Sequence, residues 1–193
     1  MKYNIIYADP PWAYNKRTNT DTKFGGGAMG HYDTMSIKDI CKLPVENIAD
    51  ENCALLLWVT FPKLQEGLDV MKSWGFDYKT IAFNWIKVNK NNQKPFFGIG
   101  YYSASNSEIC LLGVKGKMKP ASNSVSQVVW EDISEDIIAA RDKHSKKPLI
   151  VRDRITELFG DIPRVELFAR ESSDGWDSIG NGIDGKSIQE IIK

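Results

Sequence analysis

The chain has little of what would mark a secreted, metal-binding or membrane protein. Its three cysteines, Cys41, Cys53 and Cys110, are widely spaced in apolar surroundings. They form neither a disulfide framework nor a metal-ligand pattern, and read as reduced core residues of a cytoplasmic protein with no metal site. No apolar run approaches the roughly 20 residues that cross a bilayer. The amino terminus enters a strand at once, so neither a membrane span nor a signal peptide is expected. The 25 basic and 25 acidic residues cancel, and without a global positive field nucleic acid could be met only through a local surface. No repeat, linker or break in composition is visible. Residues 1–193 therefore read as a single domain with enough chain for a substantial core and no separate target-recognition domain.

What is present begins almost at once. Tyr3-Asn4-Ile5-Ile6-Tyr7-Ala8 is aromatic and β-branched with little polar interruption, and reads as a buried strand. Asp9-Pro10-Pro11-Trp12 ends it, because proline brings no N–H to a ladder and two in succession hold a rigid, extended backbone. A carboxylate and an aromatic ring thus stand at the carboxyl end of a strand, where open α/β sheets bind ligands. Such groups suit a planar exocyclic amine like N6 of adenine, whose lone pair is delocalised into the ring. Asp9 and the Pro10 carbonyl can accept its hydrogens, and Trp12 can stack on the base. Alternatively, Asp9 caps a turn and Trp12 packs in the core.

Further along, residues 36–42 read as a short helix with Ser36 as N-cap and Asp39 at N3. Residues 53–59 read as a strand buried on both faces. A helix follows over 62–74, with Leu64, Leu68 and Met71 on its inner face and Gly75 as its stop. Strands at 78–87, 108–114 and 164–168, a helix at 148–159 and a closing helix on Ile188, Ile191 and Ile192 complete an alternation that identifies a doubly wound α/β sheet. Two polar excursions interrupt it. Residues 13–31, with Gly25-Gly26-Gly27, suggest a lid carrying Lys16, Arg17 and Lys23, or else a surface loop. Residues 88–106 carry Phe96, Phe97, Tyr101 and Tyr102, which either stack on an exposed nucleotide or plug the space under a loop. Lys115, Lys117 and Lys119 follow a strand end and read as phosphate contacts or a solvated turn. The carboxyl end of this strand is expected to open on the same side of the sheet as Asp9, so that the lysines and the residues after Trp12 could both flank an extruded base.

Asp9-Pro10-Pro11-Trp12 resembles the catalytic motif of the MT-A70 family of adenine-N6 methyltransferases. Tyr32-x-Thr34-Met35-Ser36, Leu55-Leu56-Leu57-Trp58-Val59-Thr60, Trp74-Gly75-Phe76, Trp85-Ile86-Lys87 and Leu112-Gly113-Val114-Lys115-Gly116 follow in that family's order. So do Ser145-x-Lys147-Pro148, Val165-Glu166-Leu167-Phe168-Ala169-Arg170 and Gly175-Trp176…Gly180-Asn181, the whole covering roughly residues 3–182. The resemblance implies a Rossmann-like methyltransferase fold, mostly parallel, with the catalytic motif before the cofactor motif. That order explains why no Gly-x-Gly loop follows the first strand, as it does in most methyltransferases. It implies S-adenosylmethionine as cofactor, held by Asp9, Lys147, Glu166, Arg170 and Asn181, with Glu166 on the ribose. Catalysis is expected from Asp9, Pro10, Pro11 and Trp12, and substrate contact from Trp12, Lys16, Arg17, Tyr32, Lys115, Lys117 and Lys119. The substrate expected is DNA in preference to RNA, with the base extruded if the substrate is a duplex. A homodimer or partner subunit would supply additional recognition loops. The other readings are methylation of a protein side-chain amide, and a catalytically silent binding subunit.

Overall fold

In a computed structural model the chain is described over residues 2–13, 34–89, 92–98, 102–133, 146–180, 183 and 188–192. The strands are β1 (Tyr3–Ala8), β2 (Ala49–Val59), β3 (Asp77–Asn89), β4 (Ser107–Lys115), β5 (Val128–Ile133), β6 (Arg164–Leu167) and β7 (Asp177–Ile179). They form one sheet in the order β5-β3-β4-β2-β1-β6-β7. All run in one direction except β4, which is antiparallel to both β2 and β3. Helices α1 (Ile37–Cys41), α2 (Leu64–Ser73), α3 (Ile150–Phe159) and α4 (Ile188–Ile191) lie against it. The mostly parallel, doubly wound, Rossmann-like arrangement is thus the observed one. Among the described residues no helix is long and apolar enough to cross a membrane.

Both faces of the central strands are covered, which is why β1 and the apolar half of β2 lack a polar alternation. Ile6, Ala8, Leu55 and Leu57 pack on one face with Ile40 of α1, Val70 and Met71 of α2, and Ile188 of α4. Ile5, Tyr7, Leu56 and Trp58 pack on the other with Val151, Ile155 and Phe159 of α3. Each fully buried leucine of the Leu55-Leu56-Leu57 run contributes roughly 1.5–3 kcal/mol. Ser36 caps α1 as expected, its hydroxyl accepting from the Asp39 N–H at 3.2 Å.

Three expectations need correction. The buried face of α2 is Gly67, Val70 and Met71; Leu64 is exposed and Leu68 only partly packed. Gly67 sets that face, because without a Cβ the helix settles against Val59 of β2. Phe168 is not part of β6: its φ of 64° is left-handed and turns the chain out of the sheet. Strands β5 and β7 were not expected, since one runs from Val128-Val129-Trp130 into acidic residues and the other has only three residues.

Candidate active site

β1 lies between β2, reached early in the chain, and β6, which returns late to its other edge. Connections leave β1 in opposite directions here, and the crevice beyond its carboxyl end is the switch point where such sheets hold ligands. Asp9 stands there. Its Oδ2 accepts a charge-assisted bond from Lys147 Nζ at 2.8 Å, which leaves Oδ1 without a partner among the described residues. Pro10 is buried. Its carbonyl accepts the Trp12 N–H at 2.9 Å, which closes a tight turn and uses one of the two lone pairs.

Trp12 packs into the core. Its ring is buried in the core, its Nε1–H donates to the Trp58 carbonyl at 3.1 Å, and its backbone bridges to Met35. Of the two readings of this residue, the structure selects core packing.

Lys147 also reaches Glu108 Oε2 at 3.3 Å, and Lys87 holds the other oxygen of Glu108. The row Asp9, Lys147, Glu108, Lys87 therefore crosses from β1 to β3 with alternating charge. Beneath it lies an aromatic floor. Lys147 Nζ sits 5.6 Å from the centre of the Trp58 ring and Lys87 Nζ 4.6 Å from that of Trp85, and the two rings meet edge to face. Trp58 Nε1–H donates to the Tyr7 hydroxyl at 2.7 Å, extending the floor to β1.

Burial pushes the Asp9 carboxyl up, against the pull of Lys147. Burial also pushes Glu108 up, but Lys147 and Lys87 together more than offset it and hold it below its ordinary value. Lys147 is in turn disfavoured by burial and held charged by Asp9 and Glu108. The row thus alternates acidic and basic groups in hydrogen-bonded pairs, the arrangement that burial of charge requires.

On the other side of Asp9, Glu166 of β6 is buried in register with Tyr7 and Ser178. Arg152 of α3 holds it bidentately, Nε to Oε2 at 2.7 Å and Nη2 to Oε1 at 2.9 Å. Burial raises the Glu166 carboxyl and the guanidinium opposes it. Arg170 is exposed just past β6, near enough to favour the charged form of Asp9. Lys16, Arg17, Tyr32 and Asn181 lie outside the described residues.

Lys115, Lys117 and Lys119 are elsewhere. Because β4 runs backwards, Lys115 pairs with Cys53 at the start of β2, while Ile109 pairs with Val59 at its end. Six residues of strand, about 20 Å, separate the lysines from the Asp9 edge. The Lys117 N–H is tied to Asn52 at 2.7 Å on that far side. The reversed strand instead delivers Glu108 to the site. In the second excursion Phe97 and Tyr102 are exposed, so these two rings do not plug a space.

Glu108, Lys87 and Arg152 were not among the expected site residues. A charge set within an apolar strand was the available signal for the first two, the same signal that marks Asp9.

A family model described as MT-A70 matches residues 3–182. The type II methyltransferase M.MunI of a Mycoplasma species is 32% identical over 97% of this chain and 81% of its own length. The human N(6)-adenosine-methyltransferase catalytic subunit METTL3 is 26% identical over 95% of this chain, which spans only 29% of that protein. The Arabidopsis thaliana non-catalytic subunit MTB is 29% identical over 73% of the chain and 17% of its own length. Methyltransferases of this kind generally use S-adenosylmethionine. The chain belongs to the MT-A70 family of adenine-N6 methyltransferases.

Proposed function

We propose that this chain methylates the N6 amine of adenine in DNA, with S-adenosylmethionine bound at the crevice between β1 and β6. One observation carries the reading: a half-buried carboxylate at the switch point, anchored through one oxygen and leaving the other to accept a hydrogen. The donor set suits the cofactor. Each Glu166 oxygen keeps a lone pair beyond its bond to Arg152, so ribose hydroxyls can still be accepted there. The neighbouring Ser178 Oγ is buried without a hydrogen-bond partner among the described residues. Arg170 and Lys147 supply positive charge for the carboxylate end, and Asn181 completes the expected set. The cofactor supplies an electrophilic methyl group on a sulfonium, which the negative Asp9 tolerates nearby.

Asp9 Oδ1 accepts one amine hydrogen and the second lone pair of the Pro10 carbonyl accepts another. Together they turn the nitrogen lone pair out of the ring plane towards the methyl carbon. The gain is mainly alignment. A base in a duplex must leave the stack to reach this depth. DNA is favoured over RNA because the chain spans most of M.MunI, at higher identity, but little of the N(6)-adenosine enzymes. Recognition loops from a second copy or another subunit, and a cytoplasmic setting consistent with three free cysteines, belong to the same reading.

Incubation with methyl-labelled cofactor and pools of DNA, RNA or peptide tests the reading, with label expected as N6-methyladenine in DNA. Asp9→Ala is expected to fold and to lose about 10²–10⁴-fold in turnover. Label confined to RNA or peptide, or near-parental turnover in the folded variant, refutes it.

A further inference from the structure

The reading of Asp9 as acceptor for the amine leaves Lys87 without a duty, although it is largely buried on β3 at the far end of the charged row. We propose that Lys87 is a positioning residue for methyl transfer: by occupying Glu108 it leaves Lys147 to Asp9, and so keeps the Asp9 carboxylate charged and aimed. The proposal rests on the assignment of Asp9 above.

Lys147 is shared unequally, 2.8 Å from Asp9 and 3.3 Å from Glu108. That asymmetry has a visible cause, since Lys87 already answers the other oxygen of Glu108. The row is largely sheltered: side-chain exposure is 8% for Lys147, 13% for Glu108, 21% for Lys87 and 22% for Asp9. In such surroundings two carboxylates sharing one ammonium cannot both stay ionised. Without Lys87, Glu108 draws Lys147 across the Trp58 ring, and one carboxylate takes a proton. Asp9 is the one, because Lys147, once drawn to Glu108, no longer opposes the burial that pushes the Asp9 carboxyl up. A protonated Asp9 offers less acceptor capacity to the amine.

The remaining groups facing the row do not substitute for Lys87. Arg170, beyond β6, favours charged Asp9 from the opposite side. Arg152 of α3 is committed to Glu166 of β6. Lys146 and Glu171 answer each other at 2.6 Å. The Tyr7 hydroxyl and the Cys110 thiol are pushed well above their ordinary values by burial and stay neutral.

The test is the titration of Asp9 itself, followed by carbon-13 resonance in protein carrying labelled aspartate and assigned with Asp9→Asn. It needs neither substrate nor cofactor. Lys87→Met, which keeps an apolar stem over Trp85, is expected to raise the Asp9 midpoint by about 1 pH unit or more. The acid limb of kcat against pH should move with it. Lys87→Arg should restore both. Glu108→Gln, which removes the carboxylate competing with Asp9 for Lys147, should move the midpoint down, and this opposite sign keeps the test decisive if Lys87→Met does not fold. A merely structural Lys87 would lower the melting temperature of Lys87→Met and leave the Asp9 midpoint in place. An unmoved midpoint in the folded Lys87→Met variant, or the same direction of shift in Lys87→Met and Glu108→Gln, overturns the proposal. Retained turnover in Asp9→Asn would instead refute the assignment of Asp9, whatever the titrations show.

Discussion

The indole of Trp12 lies in the core on the side of α1 and α2, and its N–H is spent on the Trp58 carbonyl, one strand from Asp9. Removing that ring opens a cavity, so Trp12→Ala is expected to lose about 3–5 kcal/mol of stability. Trp12→Phe keeps most of the volume but strands a buried carbonyl, at a cost of about 1–3 kcal/mol. Denaturant titration and substrate binding distinguish this from a stacking role. Unchanged stability with weakened substrate binding would return Trp12 to the substrate. Asp9 was legible in the sequence because an ionised group at the end of an apolar strand needs a partner or a task. Lys87 and Glu108 carried the same signal. Their pairing did not, since it depends on the register that sets Trp85 opposite Glu108.

Helix α2 owes its seat to Gly67. A Cβ there would clash with Cγ1 of Val59, a stiff, fully buried side chain on β2. Two effects of Gly67→Ala oppose each other. Helix propensity gains about 1 kcal/mol, whereas overpacking a core contact costs about 1–3 kcal/mol. Overpacking wins on these magnitudes, and Gly67→Ala is expected to lower the melting temperature; a rise in a calorimetric scan would show that α2 lifts freely from the sheet. The existence and kind of α1, α2, α3, β1 and β2 were legible from apolar periodicity and caps. The direction of β4 was not. An apolar run such as Ile109-Cys110-Leu111-Leu112 is the same read parallel or antiparallel, and only pairing with β2 and β3 reverses it. That single reversal moves Lys115, Lys117 and Lys119 to the wrong edge and puts Glu108 at the right one.

For the molecule as a whole, the alkaline side is where buried protons matter. Burial and the bond to Asp177 push the Tyr3 hydroxyl from 10.0 up to about 12, and burial pushes the Cys53 thiol from 9.0 to about 12. Tyr7 and Cys110 are raised further, in the same sense. In each case the folded chain keeps a proton that the unfolded chain releases. The stability they contribute is complete below the unfolded values and is lost as pH rises from 9.0 towards about 12. Melting temperature should therefore fall across that window, and Tyr3→Phe should flatten the part above 10.0; superposable curves for parent and variant would remove Tyr3 from the account.

The central place of β1 bears on how the protein is made. β1 leaves the ribosome before the other described strands and pairs with β2 soon after, but its second edge is filled only when Arg164 to Leu167 arrive to pair with Ile5 to Ala8. Asp9 thus precedes most of the sheet in synthesis and is enclosed only when β6 arrives. A nascent chain halted before residue 164 carries the catalytic motif beside an open strand edge, which is a template for pairing with another unfinished chain.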